Sequence, residues 1–435
     1  MRESKSEAFS REDPRYITFL PVAILLGAFS GSVAVAFHLS LDAVVAFRNH
    51  AIEWLHHTYS YGFWGVLMGS SLATICAALL VAKIEPAAAG AGIPHLKGVL
   101  LGIRHYRPLR LISIKFLSGL IGIMGGLTLG REGPTVQMGG AVGDFLGHRL
   151  KRTRRERLML ILAGSGAGLT AAFNSPLSGV MFTLEELRIR AGSLELFVTA
   201  IACLVADTFC RYWLGQSPVL RLVQIEAPRL EALPVFLGVG LLAGVSGFFF
   251  NLGLLQVQSL SKAPLSIRFF AWVWVGFVVG WVMWLHPEWT GTGQDLLKGL
   301  LDDSMLGSIK TLVWVFLLRW VLLYLSYGTG SAGGFFFPLL VLGGILGAVV
   351  VLMVMRFFPL IELQSACAVL VGMASLFAAS TRAPLTAMTL MVEMSGNYSL
   401  ILPLFLGTFT AVIVADMLGA EPIYEALLKR DLEEQ

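Results

Sequence analysis

Gly130-Arg131-Glu132-Gly133-Pro134 decides how this chain folds. Before it, residues 111–129 form an apolar run interrupted only by Lys115, which is the composition of a membrane helix. Pro134 suits the first turn of the helix that follows, because no turn would satisfy the N–H it lacks. Gly130 and Gly133 let the backbone approach another group closely. Glu132 therefore stands at a helix N-terminus inside a bilayer, where free N–H groups and the positive end of the helix dipole attract anions. An ionisable residue in that position marks a functional site.

The rest of the chain agrees with a membrane setting. Of its 435 residues, 56% are hydrophobic and only 14% charged, and the mean hydropathy is +0.75. Apolar runs long enough to span recur throughout, so the fold class is an all-α polytopic membrane protein. The 47 glycines fit close helix packing and broken helices. The net charge of +4 is concentrated in short loops, where it speaks to orientation and not to nucleic acid. Cys76, Cys203, Cys210 and Cys367 lie in apolar segments without metal-type spacing and read as unpaired packing thiols. Residues 1–15 read as a polar cytoplasmic segment, and no cleavable signal peptide is expected.

Spans are predicted over residues 16–46, 64–82, 194–214, 233–254, 269–285, 312–327 and 400–418. Between them lie segments too short to cross. Gly90-Ala91-Gly92-Ile93-Pro94 leads into one of these, residues 95–102, with the Gly/Pro start of a re-entrant helix. The block from His148 to Arg155 is basic and should be cytoplasmic. A helix running from Pro134 down to Gly147 puts Glu132 roughly 20 Å above that face at the α-helical rise. Residues 158–173 and 176–186 read as a hairpin that dips into the membrane and returns beside Arg188 and Arg190. Glu186 is there open to two readings, a solvated ion pair or a functional carboxylate.

Two halves correspond. Gly130 to Pro134 has the glycine-to-proline spacing of Gly334-Phe335-Phe336-Phe337-Pro338, and a Gly-bearing helix follows each. Anchored at Pro176 and Pro384, Glu185 falls on Glu393. We read residues 16–215 and 216–420 as two membrane repeats and 421–435 as a short cytoplasmic C-terminal helix, too short for a soluble regulatory domain. Glycine-interrupted segments at matching places in two halves point to a transporter's binding site, with several helix N-termini aimed at one anion.

Other chemistries fit less well. Gly328-Thr329-Gly330-Ser331-Ala332-Gly333 matches GxGxxG, but that fingerprint needs a soluble βαβ unit. Gly164-Ser165-Gly166 as a hydrolase nucleophile would need a histidine base at membrane depth. His38 and His95 are the candidates, and each reads better as a packing or loop residue. Asp207, Asp416 and Glu393 read as structural, and the chain as no enzyme.

Three ordered motifs resemble those of the CLC family of chloride channels and chloride/proton antiporters, in its prokaryotic form without CBS domains. Gly90 to Pro94 stands for the family's GSGIP, Gly130 to Pro134 for GREGP, and Gly334 to Pro338 for GxFxP; Tyr424 stands where the family's pore tyrosine falls. The resemblance implies two inverted-topology halves with many partial helices. It implies a homodimer with a pore in each subunit, multi-pass in the inner (plasma) membrane with both termini cytoplasmic. Backbone N–H groups of Ile93, Phe335 and Phe336 and the Tyr424 hydroxyl would contact dehydrated chloride, with no other cofactor and no metal. Glu132 would be the gating glutamate, and Glu186 the internal proton-transfer glutamate. That set implies a secondary active chloride/proton antiporter, with a passive voltage- or pH-gated anion channel as the alternative. Ala91 replaces the family's serine in the site, removing a hydroxyl donor, so weaker or less chloride-selective binding on backbone donors is expected. GREGP and the tyrosine are both kept, which speaks against fluoride specialisation.

Overall fold

The computed structural model describes residues 15–58, 61–187, 192–216, 220, 228–360 and 362–433. The segment through residue 14, Arg188 and Arg190, and most of the connector 216–229 lie outside the described residues.

Helices make up the described chain. In the first half they are α1 (Arg15–Thr58), α2 (Gly62–Lys83), α3 (Ile93–Leu100), α4 (Pro108–Met124), α5 (Glu132–Arg149), α6 (Arg154–Phe173), α7 (Pro176–Glu185) and α8 (Ser193–Leu214). In the second they are α9 (Leu233–Gln258), α10 (Leu265–Leu285), α11 (Gln294–Leu301), α12 (Ile309–Gly328) and α13 (Phe336–Phe357). α14 (Ser365–Thr381), α15 (Pro384–Ser395), α16 (Ile401–Met417) and α17 (Ile423–Glu433) complete it. Eight of them are long and apolar enough to cross a membrane.

Two boundaries differ from those expected. The first helix does not end near Ala46 but continues to Thr58, because hydropathy marks where a helix leaves the bilayer and not where it stops. α6 begins at Arg154, earlier than expected, and takes in Arg155 of the basic block and Arg157; it is not among the eight helices that could cross. Thr153 starts it with a capping box, its hydroxyl accepting from the Glu156 N–H while the Glu156 carboxylate accepts from the Thr153 N–H, which satisfies two donors that the first turn leaves open.

α13 is the central helix. Some 83% of its most apolar stretch is covered by protein, against 28% for α10, and a helix apolar on all sides belongs in a core. It packs on α14 as α5 packs on α6. In both pairs glycines make the approach possible: a Cβ on Gly139 or Gly164 would run into the other's carbonyl, and the same holds for Gly343 and Gly372.

The ends of α7 and α15 are exchanged in the same reciprocal way. The Glu393 carboxylate accepts from the Leu177 N–H (2.9 Å), the Ser178 N–H (2.8 Å) and the Ser178 hydroxyl (2.6 Å). Glu185 accepts from Leu385 N–H (3.0 Å), Thr386 N–H (2.6 Å) and the Thr386 hydroxyl (2.7 Å). Each carboxylate thus caps a helix that opens with proline and offers its free N–H groups. Glu393→Ala is expected to lower stability by about 1–2 kcal/mol, the cost of a lost cap. Glu185→Ala should match it, as read from unfolding midpoints in detergent.

Candidate functional site

The mirrored motifs meet. Gly130 N–H donates to Gly334 O (2.6 Å) and Gly334 N–H to Gly130 O (2.9 Å), so the two loops pair as a single antiparallel bridge. Gly90 joins them, donating to Ser331 O (3.2 Å) and accepting from Gly333 N–H (3.1 Å). Three loops, 87–92, 125–131 and 329–335, are therefore stitched together, and from them α3, α5 and α13 start. A Cβ added to Gly133 would lie 2.6 Å from Ala91 O, a close approach that only glycine permits at that position.

The loop before α3 is held by its carbonyls. Lys115, fully buried, donates from Nζ to Ala88 O (2.9 Å) and Gly90 O (2.8 Å). Gln137 donates to Ala87 O (2.9 Å). Gly92 then turns with φ +79° into α3, a conformation that costs glycine little. The first N–H groups of α3 have no partner within their own helix. Pro94 sits in that turn, as Pro134 does in α5 and Pro338 in α13.

Ile93, Phe335, Phe336 and Tyr424 are all completely buried. Tyr424 comes from α17 and stacks on Phe335, with ring centroids 5.1 Å apart and planes 23° from parallel. Its hydroxyl is buried and has no hydrogen-bond partner among the described residues. Ala91 lies next to Gly133 and Gly334 and contributes only a methyl group.

Glu132 is 2% exposed. Its carboxylate lies close enough to its own N–H and to the N–H of Phe337, in the first turn of α13, for both to favour its negative charge; sequence reasoning did not single out Phe337. Oε2 has no hydrogen-bond partner among the described residues, and Arg131 Nε stands 3.9 Å from Oε1. The carboxylate thus occupies a helix N-terminus of the opposite half, the kind of place where a free anion would sit. Glu132 and Phe337 are among the residues lining a cavity of about 370 Å³. Its wall includes the loop from Thr290 to Gly293, whose carbonyls are held by buried Arg319 through Trp289 O (2.9 Å), Gly291 O (3.3 Å) and Thr292 O (3.0 Å).

Glu186 caps the far end of α7 and is also 2% exposed, which excludes a solvated pair. Lys97 of α3 donates to it at 2.5 Å and stands 3.7 Å from Glu425 of α17. Sequence reasoning missed Lys97, whose signal was a lone charge within a short apolar helix start. Tyr424 lies within electrostatic reach of both Glu186 and Glu132. Ser165 of the discarded serine motif donates to Ile161 O (2.7 Å), an ordinary bond to its own helix.

A sequence model of the family described as "Voltage gated chloride channel" matches residues 72–416. The chain is 34% identical over 438 residues to the H(+)/Cl(-) exchange transporter ClcA of Vibrio cholerae serotype O1 (strain M66-2), covering 98% of this chain and 92% of that protein. It is 35% identical to the protein of the same name from Vibrio parahaemolyticus, covering 95% and 90%. Among solved structures, a slow cyanobacterial Cl-/H+ antiporter superposes with a TM-score of 0.92 at 31% identity, covering 98% of this chain and all of that one. A CLC-type fluoride/proton antiporter shares the fold, with a TM-score of 0.78 at 22% identity over 96% and 99% of the two chains.

Proposed function

This chain belongs to the voltage gated chloride channel (CLC) family, and from that premise we propose that it exchanges chloride for protons across its membrane. Curated relatives that it matches nearly end to end carry that exchange in their names. The observation that carries the reading is the Glu132 carboxylate seated on the first turn of α13. There a charged side chain and a chloride ion compete for the same N–H groups. When Glu132 takes a proton it loses its claim on those donors, and the anion enters as the acid moves out. Returning, it delivers the proton and displaces the anion.

The anion is held by N–H groups of Ile93, Phe335 and Phe336 and by the Tyr424 hydroxyl, whose unpartnered oxygen supports that role. Glu186 passes protons to and from the cytoplasm. Chloride is substrate, and the protein's own groups supply the chemistry without a cofactor. A passive channel needs no second buried acid, so Glu186 and its lysine favour exchange. A homodimer with one pore per subunit, lying in the inner membrane with both termini cytoplasmic, completes the reading. The arginines where α5 meets α6, at the opposite end of α5 from Glu132, support that orientation.

Purified protein in liposomes tests it. An imposed chloride gradient is expected to drive protons uphill; chloride flux without proton movement overturns exchange in favour of the channel. Ala91→Ser tests the anion site. A hydroxyl bonded to an ion is worth about 1.5–3 kcal/mol, so chloride affinity measured by calorimetry should rise about tenfold or more. Unchanged affinity and unchanged chloride/nitrate preference would refute that place for Ala91.

A further inference from the structure

The outer cavity carries a polar stripe that the exchange just described does not use. His38, Asp42 and Asn49 line it from α1 at helical spacing, on one face of the helix. His38 Nε2 lies 3.3 Å from Asp42 Oδ2, and the imidazole is 21% exposed. Glu132 lines the same cavity. An i,i+4 pair on a helix surface would need no explanation. A histidine lining one cavity with the acid that must gain and lose a proton is different, because imidazole changes charge near neutral pH.

We propose that His38, oriented by Asp42, relays protons between the outer solution and Glu132. The inference rests on the exchange reading. With Asp42 accepting from Nε2–H, Nδ1 is the nitrogen left to take a proton from solvent or buffer. The imidazolium then gives a proton through cavity water to the Glu132 carboxylate, leaving neutral imidazole and a carboxylic acid. Release runs the same steps backward, and no other reactant is needed.

Charges of both signs surround the imidazole. On its own helix stand Asp42 and Arg48, the latter hydrogen-bonded to Asn49 and to Ile123 O. Arg131 and Glu132 face it from the start of α5, Asp295 and Lys298 from α11. Glu288, also on the cavity wall, is paired with His286 at 3.1 Å. Among these Arg131, Arg48 and Lys298 cannot shuttle protons in the neutral range, and among the described residues lining the cavity His38 is the only histidine.

The test is chloride-driven proton uptake into liposomes at increasing concentrations of outer buffer. In weak buffer His38→Gln is expected to turn over about tenfold more slowly, a modest share of what a positioned acid–base group contributes, with stoichiometry unchanged. Imidazole added outside should restore the rate, and imidazole inside should not. Asp42→Asn should show a smaller fall with the same rescue, and it decides the matter if His38→Gln does not fold. Turnover equal to the parent at every buffer concentration, or a fall that outer imidazole leaves untouched, overturns the relay. Absence of chloride-driven proton movement in the parent protein overturns the exchange reading itself, and the relay with it.

Discussion

Glu132→Gln is expected to end chloride-driven proton movement while chloride flux continues. The amide fills the same volume, so the loops paired through Gly130 and Gly334 keep their arrangement. It carries no charge with which to hold the α13 N-terminus against an anion, and it cannot take a proton. Chloride therefore gains the N–H donors that the carboxylate uses in the parent, among them that of Phe337. Proton flux should fall at least about a hundredfold, as when an essential proton-transfer group is lost, and chloride flux should no longer respond to outer pH. Chloride binding should tighten, since its competitor is gone. The liposome assay reads the fluxes and calorimetry the affinity. Coupled proton movement surviving in this variant would remove Glu132 from the pathway.

How much of this was open to a reader of the sequence depends on the range of the interaction. Helix starts were legible because Gly, Pro and a following apolar run act within a few residues: α5, α13 and α15 begin within two residues of where Pro134, Pro338 and Pro384 put them. The mirrored motifs were legible as spacing. Their direct pairing through Gly130 and Gly334 was not, because a bridge between residues so far apart in sequence leaves no local trace. The lysine that orders the anion loop shows the same limit. Lys115 stood out as a lone charge in an apolar run, and a buried ammonium must find acceptors. Which carbonyls it finds, those of Ala88 and Gly90, is a fact of tertiary packing. The place of His38 was hidden for the opposite reason: its helix is apolar on average, and only the cavity shows which face it occupies.

Glu186→Gln is expected to abolish proton coupling and keep chloride flux, and its partner Lys97 makes that outcome more informative. Glu186 and Lys97 lie 2.5 Å apart, 2% and 8% exposed. A buried pair loses about 3–5 kcal/mol when one member is removed, because the other charge is left in a poor solvent. Glu186→Gln leaves Lys97 with Glu425 at 3.7 Å, which softens the loss. Lys97→Met takes from the buried Glu186 carboxylate an ammonium 2.5 Å away and should also destabilise. The double variant Lys97→Met/Glu186→Gln should lose less than the two single losses added, since the pair is then removed as a unit. For transport the same pair sets a competition: a proton and the Lys97 ammonium, which sits on Oε1, both claim the Glu186 carboxylate. Weakening the cation with Lys97→Gln should therefore raise proton turnover at neutral pH if leaving Lys97 limits the cycle. Unchanged turnover in a stably folded Lys97→Gln protein would place the limiting step at Glu132 instead.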